Sequence, residues 1–195
     1  MTKYYTYRDT GEIVGSGDCP ESMVGLQADP EKGIYAAIGE ASWSADYLDG
    51  GVLTKKPHRP TKYHVFNYGT KQWIDPRTLA ELQAARRAYI NASRLAANQT
   101  YFTHEGKQIA ADALSRGDID GINGQVANTG DFPAGWPGAW KCLDNTWLPV
   151  TTIAQWKALY TSMVNQGTAN FAHAQALKGQ IDATTAPEQV AAVVW

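Results

Sequence analysis

The side chains able to do chemistry are few and scattered. The four histidines, His58, His64, His104 and His173, fall in four different segments. None has a Cys, Asp or Glu at metal-ligand spacing on the same element, so no metal site is expected. Cys19 and Cys142 stand far apart and match neither a zinc pattern nor a disulfide framework, which fits folding in a reducing compartment. Asp112, Asp118 and Asp120 lack the oxygen-ligand spacing of a calcium loop, and Asp118 and Asp120 point to different helix faces; solvated charge is the expectation. Gly15-Ser16-Gly17 lacks the downstream glycine and helix of a phosphate loop. Nothing matches a nucleophile elbow, a zinc-protease helix or a Rossmann fingerprint. No set of acid, base, nucleophile and orienter can be assembled, so the chain is expected not to be an enzyme, with no catalytic, cofactor-binding or metal-binding residues.

The aromatic residues say more. Trp136, Trp140 and Trp147 cluster just before a long helical pattern whose first turns hold Trp156. Exposed, they would form a sugar-binding or docking platform; buried, they would lock a hairpin onto the helix, since aromatic rings cover large areas. Trp140 and Trp156 fall at inward-facing positions, whereas Trp136, in the Gly/Pro loop Thr129 to Pro137, is the one expected to be exposed. With Tyr89 and Phe171 on the helices, these four tryptophans make up the candidate interaction surface. The tripeptide Arg116-Gly117-Asp118 and the sequons at Asn91 and Asn98 have no supporting context and are read as chance.

Charge narrows the partners. Net charge is −2; residues 1–75 hold eight basic and ten acidic side chains, and residues 76–195 nine of each. Nucleic-acid binding, which needs a basic excess, is disfavoured. The local exception, Lys55-Lys56-Pro57-His58-Arg59-Pro60-Thr61-Lys62, could serve a phosphate or membrane surface, but reads more simply as a solvated, Pro-stiffened connector. The opening residues carry no apolar signal region and no run is long enough to span a bilayer, so a soluble protein made in a cytoplasm, with no membrane partner, is expected. A hydrophobic fraction of 44% with 18% charged residues supports a folded chain, and 195 residues suffice for one domain or two small ones.

The elements that must position these residues follow from hydrophobic period. Lys3 to Val14 reads as a hairpin turning at Arg8-Asp9-Thr10-Gly11. Strands are expected over Gly33 to Ile38 and Trp43 to Leu48. Asp49-Gly50-Gly51 then turns into Val52 to Thr54, and another hairpin spans Tyr63 to Ile74. The period changes at Gln72-Trp73-Ile74-Asp75-Pro76. There Asp75 is expected to cap a helix over about 76–98, with Pro76 in its first turn and Ile74 packing on Leu79. A short hairpin turning at Glu105-Gly106 follows, then a helix capped by Ser115 with Ile119, Ile122 and Val126 inward. Ala139 to Leu143 and Trp147 to Val150 read as a further hairpin. Thr152 and Gln155 form a capping box for a helix over about 153–183, with the stripe Trp156, Leu159, Tyr160, Met163, Gly167, Phe171, Ala174, Leu177 and Ile181. Thr185 and Glu188 are expected to box a last short helix.

The reading is α+β: an N-terminal β-hairpin-rich module, then a helical module of two long helices with small β-hairpin insertions. Residues 1–62 are expected to form a β-rich docking module ending in the connector, and residues 63–195 a hairpin plus helical domain. The long helices, alanine-rich on their faces, should pack as a hairpin or enter a bundle.

The stretch from Asn67 through Trp73-Ile74-Asp75-Pro76-Arg77 and on to Arg94 resembles a module recurrent in tailed-phage tail genes. There a Tyr-rich hairpin and Pro-rich connector lead into a Trp-x-Asp-Pro-Arg helix start. The remainder resembles a phage and prophage domain of unknown function. The resemblance is carried by Gly106, Asp112, Ser115, Ile119, Gly121, Ala127, Trp140, Leu143-Asp144-Asn145, and the helix from Thr151-Thr152 to Ala183-Thr184-Thr185-Ala186-Pro187-Glu188. Gly117 and Gly124 depart from it where helix formers are expected. The resemblance implies a structural component of a bacteriophage tail (tail tip, baseplate or fibre attachment) that is present in the virion and made in the host cytoplasm. Its partners would be other tail proteins; the alanine-rich faces of the helices at 76–98 and 153–183, which allow close approach, are expected to bring further copies of the chain together as a trimer around the tail axis. The alternatives are a tail-fibre assembly chaperone and a carbohydrate-binding adhesin module.

Overall fold

The computed structural model describes residues 1–195. The fold class is α+β, strand hairpins preceding helices, and the chain divides into two compact units, Met1–Arg77 and Thr78–Trp195.

In the first unit, β1 (Thr2–Arg8) lies between β2 (Ile13–Cys19) and β3 (Ile34–Ile38) in an antiparallel sheet. Its side chains alternate, so Tyr5 points into a small core with Ile13, Ala41 and Leu48. The turn between β1 and β2 requires glycine at position 11. Gly11 has φ +87°, and a Cβ there would lie 2.1 Å from the backbone oxygen of Leu48. That approach lets the Leu48 N–H donate to Gly11 O at 2.8 Å. Between β2 and β3 the chain forms 3-10 turns over Glu21–Gln27 and Pro30–Lys32, which no hydrophobic period announces. Two ribbons complete the unit: β4 (Asp46–Asp49) with β5 (Val52–Lys55), and β6 (Val65–Asn67) with β7 (Gln72–Ile74).

The β6–β7 ribbon belongs to the first unit, so the division falls at Arg77/Thr78 and not after residue 62. Packing is the reason. Phe66 meets Tyr47 at 5.0 Å between ring centroids, and Lys71 Nζ donates to the carbonyls of Thr10 and Leu48.

The second unit begins with α1 (Leu79–Asn98), three residues later than the period change implies. Its cap is Thr78, not Asp75. Thr78 Oγ1 accepts the Glu81 N–H, and the Glu81 carboxylate accepts the Thr78 N–H at 2.7 Å. Asp75 instead accepts the Arg77 N–H at 3.1 Å and grips the Arg77 guanidinium at 2.6 Å. That guanidinium holds the Asp75 carboxyl down at about 2. An Asp followed two residues later by Arg satisfies itself locally and leaves the cap to the next hydroxyl.

Next come the ribbon β8 (Tyr101–His104) and β9 (Lys107–Ala110), helix α2 (Ala113–Thr129), the ribbon β10 (Ala139–Lys141) and β11 (Trp147–Pro149), α3 (Ile153–Asp182) and α4 (Pro187–Ala192). Helix α2 starts two residues before Ser115, because Asp112 is the cap and accepts the N–H groups of Leu114 and Ser115. It runs unbroken through Gly117, Gly121 and Gly124, anchored by buried Ile119 and Val126. The Thr152–Gln155 box forms as expected on α3. At α4 the reciprocal acceptor is Gln189, which takes the N–H groups of Thr185 and Ala186, in place of Glu188.

Two cores hold the unit. Phe102, Ile109, Ile119, Cys142, Leu148, Trp156, Leu159 and Met163 join both ribbons and α2 to the first half of α3. Ile90 of α1 packs with Ala174, Leu177 and Ile181 of α3 and with Val193. The long helices therefore pack on each other, reinforced by Gln83 Nε2 on the Ile181 carbonyl and by the Arg87–Asp182 ion pair.

Candidate interaction surface

Hairpin register decides which tryptophans face outward. Trp140 pairs with Leu148 across the β10–β11 ribbon, and Lys141 with Trp147, so the two indoles take opposite faces. Trp140 turns inward with buried Leu148; Trp147 is 58% exposed. Trp136 is not the exposed ring. It stacks on Phe132 at 4.8 Å with planes 4° apart, meets Trp156 edge-on at 5.5 Å, and donates Nε1–H to Val150 O at 2.9 Å. The reason is composition: the Gly/Pro loop carries a second ring, Phe132, and the pair covers Trp156 better together than either would in water.

Trp156 is wholly buried, and its Nε1–H has no acceptor. Phe132, Trp136, Trp140 and Trp156 thus form the aromatic lock between ribbon and helix. Beside it lies an open apolar hollow of about 220 Å³ lined by Trp136, Pro137, Trp140 and Trp147. Trp147 is the exposed ring of that set.

Tyr89 and Phe171 are 45% and 50% exposed. Each carries a guanidinium: Arg86 lies 5.2 Å from the Tyr89 ring and Arg94 5.3 Å from Phe171. Phe171 was expected in the buried stripe of α3, but Ala174 and Leu177 take the contact with Ile90 instead. On the outward side of α1, Ala80, Ala84, Ala88 and Ala92 are all exposed, and Leu95 follows them at 56%. Their four-residue spacing makes one smooth ridge of the kind that seats in another helix's groove.

The model of a domain of unknown function, DUF4376, matches residues 81–194. The chain belongs to the DUF4376 family. The match covers all of the second unit but its first few residues and Trp195, and therefore the aromatic lock, Trp147 and most of the alanine ridge. No curated protein and no solved structure matches the chain.

Three titratable groups of the DUF4376 region make contacts across elements or turns. His104 Nδ1 lies 2.9 Å from Ser162 Oγ, tying β8 to α3, and His173 meets the Trp195 ring at 4.8 Å. Asp144 takes the Thr146 hydroxyl at 2.6 Å and the Lys107 ammonium at 2.9 Å, and these donors hold its carboxyl at about 2. Cys142 is buried and unpaired, as Cys19 is unpaired in β2. No three His, Cys, Asp or Glu side chains converge on a point that could hold a metal ion. No helix is long and apolar enough to cross a membrane.

The first unit, outside the DUF4376 match, holds a cleft that period and motif do not reveal. The segment 55–62 is solvent-exposed except at Lys56, yet its Lys56 and Arg59 side chains are held in place. Lys56 Nζ donates to Trp43 O at 2.8 Å and to the Tyr68 hydroxyl at 2.9 Å, and lies over the Phe66 and Tyr68 rings. Arg59 donates to the carbonyls of Lys62 and His64 and lies over Trp73, whose Nε1–H donates to Pro57 O at 2.8 Å. The prolines hold the segment extended so that both cations reach the β6–β7 ribbon. The one signal in the sequence is a basic run flanked by Trp43 on one side and by Tyr68 and Trp73 on the other, each at least twelve positions from the cation it meets.

Proposed function

We propose that this chain is a structural component of a bacteriophage tail, at the tail tip, baseplate or fibre attachment, acting through protein–protein association rather than catalysis. The observation that carries the reading is the outward face of α1. The inward face is already used against α3, yet Ala80, Ala84, Ala88, Ala92 and Leu95 remain exposed as a continuous apolar ridge. A second copy of the chain is the occupant that such a self-complementary surface fits, and a trimer about the tail axis is the arrangement proposed. The resemblance of residues 67–94 to tail-gene modules supports the setting. In this reading the protein is made in the bacterial cytoplasm, resides in the virion, contacts other tail proteins, and uses no cofactor, nucleic acid or membrane.

Mass spectrometry of purified particles tests the setting: the chain is expected in stoichiometric amount. Its presence in infected cells but absence from particles would replace this reading with that of an assembly chaperone. Light scattering tests the surface, with Leu95→Glu expected to lower the oligomeric mass while the unfolding midpoint holds; a monomeric wild-type chain would remove the ridge from the argument.

A further inference from the structure

The cleft of the first unit has a volume of about 660 Å³, within the roughly 300–1,000 Å³ of small-molecule sites. Lys55, Lys56 and Arg59 line it with Trp43, Trp73 and Tyr68, and Glu12 and Ser44 stand among them. The cations differ in how they are satisfied. Lys55 is neutralised by the buried carboxylate of Asp46 at 2.7 Å. Burial alone would push that carboxyl up; the Lys55 ammonium and the Ser42 N–H outweigh it and hold it below the ordinary range. Lys56 and Arg59 form no ion pair. Their donors meet carbonyls, a hydroxyl and ring faces, all neutral, and each cation has more N–H groups than those contacts use.

The rings differ in the same way. One face of Trp73 carries Arg59 and one of Tyr68 carries Lys56, whereas Trp43 is 69% exposed and no ring or cation covers it. The Asp46 carboxylate is near enough to attract Lys56 too, but its ion pair is with Lys55. An uncovered indole beside two cations that have no ion-pair partner fits a ligand with a flat C–H face and a carboxylate. Glu12, paired with Arg8 at 3.5 Å, and the Ser44 hydroxyl also line the cleft; they add acceptors that hydroxyl groups of a ligand need, and the Glu12 charge opposes a cluster of phosphates more than a single carboxylate.

We propose that the first unit binds acidic saccharides, the sugar acid's carboxylate meeting Lys56 Nζ and the Arg59 guanidinium and its pyranose face covering Trp43. This site is independent of the α1 ridge and of the association proposed above.

Isothermal titration of the full chain with trigalacturonate and with 3′-sialyllactose tests it, against maltotriose, lactose and inorganic phosphate at equal concentration. At least one acidic saccharide is expected to bind, roughly tenfold more tightly than its neutral counterpart, and to weaken several-fold as salt rises through the range where the screening length falls below about 10 Å. Trp43→Ala removes only an exposed side chain, and is expected to weaken binding roughly tenfold while leaving the unfolding midpoint in place. Lys56→Gln also removes the brace between Trp43 O and Tyr68, so Trp43→Ala is the deciding variant. The proposal is overturned if neither acidic saccharide gives heat at millimolar concentration, if neutral sugars bind equally, if Trp43→Ala leaves affinity unchanged, or if phosphate alone binds as tightly as the saccharides.

Discussion

In the first unit Lys56, Arg59, Lys71 and Arg77 each lie over an aromatic ring, whereas in the aromatic lock of the second Phe132, Trp136, Trp140 and Trp156 lie against one another. The difference follows from architecture. A two-stranded ribbon cannot bury both faces: Tyr47 and Phe66 are buried against each other, whereas Tyr68 and Trp73 stay half-buried and are covered by Lys56 and Arg59, whose stems are apolar and whose heads keep carbonyl or hydroxyl partners. A thirty-residue helix offers a long stripe, and loops folded over it can exclude water entirely, as they do at Trp156. Wet rings with charges beside them suit polar ligands; dry rings suit rigidity.

The sharpest way to break this comparison is at the dry rings. Trp156→Ala is expected to destabilise the isolated protein by about 3–5 kcal/mol, read from urea unfolding. Trp156→Phe should recover most of that, because it also removes the indole N–H that has no acceptor. Equal losses for both variants would mean that the indole is held by more than packing.

A smaller effect is expected at the backbone contact of the first unit. Gly11→Ala imposes left-handed strain of about 1–3 kcal/mol, together with the approach to Leu48 O. Hydrogen exchange should show protection lost in β1, β2 and β4, with α3 unchanged. Loss spread equally over both units would show that they unfold as one.

The smallest effect compares two carboxyls, one per unit. Asp75 and Asp144 both titrate at about 2, held by Arg77 in one case and by the Thr146 hydroxyl and Lys107 in the other. Because both are depressed on folding, their contribution is present above the ordinary carboxylate range and is lost as pH falls towards 2. Carboxyl carbon shifts followed by NMR should give both midpoints near that value. A normal midpoint for Asp75 would mean the half-buried Arg77 pair is broken in solution.

Much of the fold was legible because it is local. Each hairpin announced itself by alternation and a Gly, Asp or Asn turn, and the Thr152–Gln155 box and the stripe Trp156–Leu159–Met163 set α3 within a residue of its end. Local competition was harder to read. Asp75 looks like the cap but is taken up by Arg77, and Ser115 looks like a cap but donates its own N–H to Asp112; in each case the polar side chain three residues away along the chain, Thr78 or Asp112, takes the first free N–H groups of the helix. The site was less legible still. Trp136 sits in a Gly/Pro loop that reads as exposed, and the sequence gives no sign that Phe132 will fold it down onto Trp156.

By itself the sequence determined the α+β class, the order of the hairpins and helices, and the membership of residues 81–194 in the DUF4376 family, because turn chemistry, period and family pattern all act over short stretches of chain. Only the tertiary structure decided that residues 55–62 are folded onto rings of the β6–β7 ribbon, that Phe66 ties that ribbon to the first unit, and that Trp43 and Trp147 keep open faces while Trp136 and Trp156 do not. Those outcomes depend on which distant surfaces meet, and burial, unlike turn geometry, is a property of the pair and not of either partner.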